Sequence, residues 1–231
     1  QTLPRSARQL IVTNAATLSE PAYCNKNKSG GGFMEEFKRL SRDLVAHGAI
    51  IDYYQDTIQV PNGNVVKWDF IGHNGAAAVV PVDDEGRLIL VKQYRNALDR
   101  YTLEIPAGGL NGDEPTKDAA ARELTEETGY TAGQMELLIT ISTTVAFCNE
   151  KIDIYLATGL VPGKQHLDED EYIRTDAYTV EELTEKIYAG EIQDSKTVAA
   201  ILAYKDKYVK KTDRTVFKNR QCICTACFSY I

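Results

Sequence analysis

Along most of this chain apolar residues recur at every second position, in short runs separated by turn formers, with a few stretches that switch to helical spacing. From residue 34, "MEEFKRLSRDLVAHG" places Phe37, Leu40, Leu44 and Val45 on one face of a 3.6-residue period and ends at Gly48, which predicts a short helix. Strands are expected next. The runs "AIIDYYQDTIQV" and "NVVKWDFIGH" flank "PNGN", whose Asn-Gly is a hairpin signal, and "AAAVVPV" and "RLILVKQYR" flank "DDEG", a second one. After "YTLEIPAGG" a helix is predicted near 115 to 128, with Pro115 suited to its first turn and Gly129 to the position just past its end. "MELLITIST" and "KIDIYLATGL" predict another strand pair, and "TVEELTEKIYAG" and "DSKTVAAILAYKDKYVKK" predict closing helices. This interleaving predicts a mixed sheet covered by helices. No internal repeat is visible.

Both ends break the pattern. The first thirty-odd residues show neither period clearly and finish in a Ser-Gly-Gly-Gly run before Met34. Residues 1–33 are therefore expected to be an appended leader or linker, 34–210 the folded domain, and 211–231 a tail. A length of 231 residues suits one sizeable domain with extensions. The 43% hydrophobic and 26% charged content is that of a globular protein, and the net charge of −7 argues against a nucleic-acid footprint, which needs a basic stripe. No run approaches the roughly 18 apolar residues needed to span a bilayer, so a cytoplasmic protein acting on small molecules is expected. The five cysteines, at 24, 148, 222, 224 and 227, are odd in number and irregularly spaced, which excludes a secreted-type disulfide framework. Cys222, Cys224 and Cys227 lack a nearby histidine or second cysteine pair to complete a zinc site, and a loose terminal extension is the simpler reading.

Charge changes the picture most between residues 108 and 130, "GGLNGDEPTKDAAARELTEETGY". On a helix, positions three and four apart share a face, so Glu123 lies beside Glu126 and Glu127, while Arg122 lies beside Glu126. Like charges at that spacing cost an isolated helix about 0.2–0.5 kcal/mol per pair, and one arginine cannot neutralise three carboxylates. Hard divalent cations prefer carboxylate oxygens and retain positions for water and phosphate, so a phosphate-processing metal site accounts for the crowding. The alternative, a solvated acidic face, would suffice for a bare "EETGY".

The wider spacing decides between them. Gly108, Glu114, Arg122, Glu123, Leu124, Glu126, Glu127 and Gly129 match G-x5-E-x7-R-E-U-x-E-E-x-G-U, where U is apolar, and Tyr130 fills the last apolar slot. Seven fixed identities at about one in sixteen each leave a chance match near roughly one in a million over the chain. The pattern resembles the signature of the Nudix hydrolases, which cleave a nucleoside diphosphate linked to another moiety, and the resemblance covers about residues 45 to 205. It implies an α+β fold, a mixed β-sheet sandwiched between α-helices (α/β/α), with an N-terminal antiparallel β-hairpin region.

By that resemblance Glu123 and Glu127 ligate metal, Mg²⁺ with Mn²⁺ as a possible substitute, and Glu126 is a supporting ligand. Arg122 orients the carboxylates, Gly108 permits a tight loop before the helix, and Glu114 ties that loop to the helix. "HNGAAAVVPV", "VKQYR", "LEIPAGGL" and "FCNEKIDIYLA" resemble the ADP-ribose pyrophosphatase subgroup. The likeness implies a metal ligand in the Ala107 carbonyl, a phosphate or ribose contact in Arg95, Glu104 beside the substrate and adenine stacking by Trp68. Duller readings stand beside these: a core or dimer aromatic for Trp68, a surface ion pair for Arg95, a satisfied strand-end carboxylate for Glu104. "LDEDEYIRT" resembles the subgroup's acidic loop, with Glu171 the best match to the catalytic carboxylate and Glu169 the second.

One departure stands out: "TTVAFCNE" has Val145 and Ala146 where the subgroup has a proline and a glycine, although Glu150 fits the glutamate that follows. The resemblance thus implies Mg²⁺-dependent hydrolysis of ADP-ribose to AMP and ribose 5-phosphate, with another nucleotide sugar such as GDP-mannose as the alternative. A nucleotide-sensing module without catalysis is a third reading, and the intact Glu123, Glu126 and Glu127 speak against it. The resemblance also implies a homodimer. The histidines at 47, 73 and 166 form no ligand pattern, no hydroxyl or thiol has a recognisable catalytic partner set, and Cys148 reads as a small packing residue.

Overall fold

A computed structural model describes residues 36–167 and 171–209. The leader, the tail, and with them Cys24, Cys222, Cys224 and Cys227, lie outside the described residues. The described residues form two compact units, 36–75 with 142–150, and 76–141 with 151–167 and 171–209.

The first unit is a three-stranded antiparallel sheet of β1 (Lys38–His47), β2 (Asp52–Gln59) and β3 (Val65–Gly72), in the order β1-β2-β3. The "PNGN" hairpin forms as expected, with the Val60 and Gly63 N–H groups donating across the turn. The helix predicted over 34–48 does not form. Its helical stripe finds no core: Phe37, Leu40, Leu44 and Val45 are all exposed. Pairing with β2 offers the segment more. Arg42 donates to both oxygens of Asp56 at 2.7 and 2.6 Å, and its guanidinium carbon lies 3.4 Å from the centroid of the Phe70 ring. Two register shifts in β1, between Arg39 and Ser41 and between Leu44 and Ala46, blur the two-residue alternation and leave a spacing that mimics a helix.

The second unit is layered around β4 (Ala76–Pro81), which is buried along its whole length. β4 runs parallel to β9 (Lys151–Pro162) and antiparallel to β7 (Ala107–Gly109), in a four-stranded mixed sheet ordered β7-β4-β9-β8, where β8 is Tyr130–Ser142. Alternation along β4 divides the core. Ala76, Ala78 and Val80, with Ile152, Ile154 and Leu156 of β9, face a cluster that includes Val180 and Leu183 of α2 (Val180–Tyr188) and Ala200 and Ile201 of α3 (Ser195–Tyr208). Ala77 and Val79, with Tyr155 and Ala157, face Ala119, Ala120 and Leu124 on the other side. Ala119 and Ala120 belong to α1 (Thr116–Glu123). Small residues at β4 let α1 approach closely, and helices on both faces explain why the strand has no polar side. A second sheet, β10-β5-β6, joins β5 (Leu88–Arg95) to β6 (Arg100–Glu104) and β10 (Arg174–Tyr178), both antiparallel.

The "DDEG" turn closes as expected, with Asp83 N–H bonded to the Arg87 carbonyl, but only the Val82–Leu88 bridge joins its arms. Beyond it β4 and β5 part into different sheets. Both closing helices form, α2 with a capping box between Thr179 and Glu182, and α3 capped by Asp194 accepting from the Thr197 N–H. No helix of the described residues is long and apolar enough to cross a membrane.

Candidate active site

The acidic residues are carried by α1 and by a π-helical turn, Leu124–Thr128, that continues it. Thr116 anchors the start of α1 to β9: its hydroxyl donates to Asp153 at 2.9 Å and shares a hydrogen bond with the Tyr155 hydroxyl at 2.8 Å. The apolar face of the helix fixes the other direction, so Glu123 and Glu127 end up buried, at 8% and 3% exposure. Arg122 gathers the rest. It donates to both oxygens of Glu114 at 3.1 Å, to Glu123 at 2.5 Å, to Glu126 at 3.0 Å and to the Gly109 carbonyl at 3.0 Å. Glu114 also accepts from the Asn111 N–H, tying the loop to the helix as the family resemblance implied.

Glu127 is left with the Ala107 N–H at 3.2 Å and the field of Arg95. Its carboxyl is pushed up to about 8, by burial first and by the Glu123 charge next, with Glu171 adding to both. Glu123 is also raised: burial dominates, Arg122 opposes it, and the charges of Glu126 and Glu171 add. Like charges therefore do converge on this helix. Gly108 faces them from β7, and a Cβ there would land on the Glu123 carboxylate. Its place in a strand corrects the expectation of a tight loop, because what the position requires is space.

Past the π-helical turn, Gly129 adopts φ +77° and ends the helix, and a Cβ on it would lie 2.9 Å from the Gln165 nitrogen. The segment behind it caps the helix. The His166 N–H donates to the Glu126 carbonyl at 2.9 Å, and the Gln165 amide to the Glu127 carbonyl at 2.5 Å. Glu169, in the loop that follows, lies outside the described residues. Glu171 is exposed, next to the exposed Tyr172 and the buried Ile173, and its charge reaches both Glu123 and Glu127.

Arg95, at the end of β5, donates through Nε and Nη2 to the two oxygens of Glu104 at 2.8 and 2.7 Å. Glu104 is 2% exposed, accepts from the Thr102 hydroxyl at 2.6 Å and pairs with Lys196 of α3. Its carboxyl sits at about 2: burial opposes the ionised form, and Arg95 and Lys196 more than compensate. Lys196, Thr102 and Gln165 were not among the residues expected from sequence. Lysine ordinarily reads as surface, and nothing in "DSKT" marks its Lys as buried.

The second unit thus holds Arg95, Glu104, Ala107, Gly108, Arg122, Glu123, Glu126, Glu127 and Glu171. Trp68, Val145, Ala146 and Glu150 belong to the first unit, where Trp68 is 50% exposed with its ring centroid 6.0 Å from that of Phe37, and Glu150 accepts from the Thr143 hydroxyl at 2.6 Å. Cys148 is half-buried and its sulfur accepts from the Glu150 N–H at 3.4 Å.

The NUDIX domain profile matches residues 72–201, more than half of the chain. The chain belongs to the Nudix family of hydrolases. It is 38% identical over 168 residues to an ADP-ribose pyrophosphatase of Bacillus subtilis, an alignment covering 72% of this chain and 91% of that protein. It is 37% identical over 172 residues to a methanol dehydrogenase activator of Bacillus methanolicus, covering 74% and 93%. A crystal structure of an ADP compounds hydrolase superposes with a TM-score of 0.70 at 22% identity, covering 76% of this chain and 96% of that one, which shows the shared fold.

A divalent cation suits the Nudix helix chemically. Two buried carboxylates repel each other there, and Glu127 lacks the direct guanidinium contacts that Glu114, Glu123 and Glu126 receive. Hard oxygen donors of this kind suit hard divalent cations over softer ions. Among the described residues no three His, Cys, Asp or Glu side chains are already gathered as ligands, because Glu123 and Glu126 turn onto Arg122.

Proposed function

We propose that this Nudix hydrolase cleaves the pyrophosphate of ADP-ribose, giving AMP and ribose 5-phosphate, with Mg²⁺ or Mn²⁺ as cofactor. The observation that carries the reading is the burial of Glu123 and Glu127 side by side, a repulsion that a cation and an anionic diphosphate together would relieve. Glu123, Glu127 and the Ala107 carbonyl would hold the metal, with Glu126 supporting. When bound, the ion neutralises diphosphate charge and lowers the pKa of a coordinated water.

The chain's own residues supply the rest. Arg122 holds Glu123 and Glu126 in place, and Gly108 leaves room for the Glu123 carboxylate. Arg95, oriented by Glu104, contacts the phosphates. Glu171, or Glu169, takes the proton from the attacking water. The new P–O bond forms on one phosphorus as the bridging P–O bond breaks, and the second phosphate leaves with its oxygen. The fold and the acidic set do not choose the nucleoside diphosphate derivative. Val145 and Ala146, in place of proline and glycine, favour a different nucleotide sugar such as GDP-mannose as the second reading. A panel of such compounds with Mg²⁺, followed by product chromatography, tests both: ADP-ribose should be hydrolysed most efficiently, and a preference for another nucleotide sugar would replace the first reading with the second.

The protein is also read as a homodimer. Leu40, Leu44, Val45, Val65 and Trp68 of the three-stranded sheet, with Phe37 just before it, are exposed, and a second copy covering them would bury this apolar surface.

A further inference from the structure

Lys196 has no part in the reaction scheme above, yet its position is costly. It is the second residue of α3, 8% exposed, where the helix end carries positive partial charge and burial disfavours an ammonium group. Glu104 and Asp194 offset both costs, Asp194 accepting from Lys196 at 3.0 Å. The helix start does not need the lysine. Asp194 already accepts from the Thr197 N–H at 3.0 Å and its hydroxyl at 2.5 Å, and that hydroxyl accepts the Ile105 N–H at 3.0 Å, so the cap and its link to the sheet are complete.

What Lys196 changes is the charge behind Arg95. Without it, Arg95, Glu104 and Asp194 together carry −1, close to Glu127, in a site for an anionic substrate. With it the group is neutral. Glu104 engages only two of the five N–H donors of the Arg95 guanidinium, and that side chain is 39% exposed. We propose that Lys196 is a positioning residue for diphosphate binding: by neutralising Glu104 at the Oε2 that it shares with Arg95, it leaves Arg95 to direct its remaining donors and its charge at the substrate phosphates. The proposal rests on the reading of Arg95 as a phosphate contact.

Steady-state kinetics and equilibrium binding of ADP-ribose to the full chain with saturating Mg²⁺ test it, using K196M, K196R, R95A and the double variant E104Q/K196M. K196M should raise KM and Kd about tenfold, the scale of one charge-assisted hydrogen bond, with kcat within about threefold. K196R, which keeps the charge, should remain near wild type, and E104Q/K196M, which removes the charge that needed neutralising while leaving an amide oxygen to accept from Arg95, should bind more tightly than K196M. A purely packing role predicts the opposite for the double variant, so a defect that persists undiminished or deepens in E104Q/K196M overturns the proposal, as does unchanged affinity in folded K196M. If K196M does not fold, weak binding by K196R overturns it instead. The outcomes separate the two layers: R95A weakened with K196M unaffected removes this inference alone, whereas R95A with normal affinity removes the phosphate reading of Arg95 and the inference with it.

Discussion

Glu127 concentrates the chemistry at the scale of single residues. A carboxylate held almost entirely away from water, next to a second one, has no stabilising role of its own in the fold, so its removal should separate function from stability. E127Q is expected to lose at least about a thousandfold in kcat, several kcal/mol of transition-state stabilisation, while melting no lower than wild type. A variant that keeps turnover would remove Glu127 from the ligand set. Glu104 behaves oppositely. Its folded pKa of about 2 lies below the ordinary 4.5, so it contributes stability that is complete above pH 4.5 and lost as pH falls toward 2. At about 1.4 kcal/mol per pKa unit that is about 3 kcal/mol, so the gap in unfolding free energy between wild type and E104Q should narrow steadily below pH 4.5. A gap independent of pH would show that folding leaves the Glu104 carboxyl unshifted, so that Arg95 and Lys196 do not favour its ionised form. The spacing of Glu123, Glu126 and Glu127 was legible from sequence because helical geometry converts spacing directly into proximity. Lys196 was not, because its burial depends on the partner that β6 brings to it from ninety-two residues away.

Among the elements, local signals worked wherever a cap or turn was chemically marked. Asn-Gly gave the β2–β3 hairpin and Gly129 the end of the acidic helix, and the two predicted closing helices begin at capped positions, Thr179 with Glu182 and Asp194. They failed where long-range pairing decided the outcome. β1 is built from good helix formers and becomes a strand through Arg42, Asp56 and Phe70. The Asp83–Gly86 turn forms, but the sheets recruit its two arms separately. The π-helical turn left no mark in the apolar period. β7 meets the acidic helix at Gly108, where an added Cβ would land on the Glu123 carboxylate. G108A should push the Glu123 carboxylate aside, costing about 1–3 kcal/mol of stability and most of the activity. Full activity and an unchanged melting temperature would mean that Glu123 has room to move away and that its observed place is not required.

For the whole molecule, the two units pose different questions. The unit of 76–141, 151–167 and 171–209 has two buried clusters of its own, whereas the three-stranded sheet leaves Leu40, Leu44, Val45, Val65 and Trp68 exposed. Light scattering of the full chain should report a dimer, and L44E, at an exposed position of β1, should shift it toward monomer. A monomeric wild type would contradict the homodimer reading without touching the chemistry. That chemistry is tested most directly by following AMP release from ADP-ribose in the wild type and E123Q/E127Q, with Mg²⁺ and then with chelator. The account predicts hydrolysis only by the wild type and only with the cation. Equal AMP release by E123Q/E127Q, or by the wild type after chelation, would contradict it.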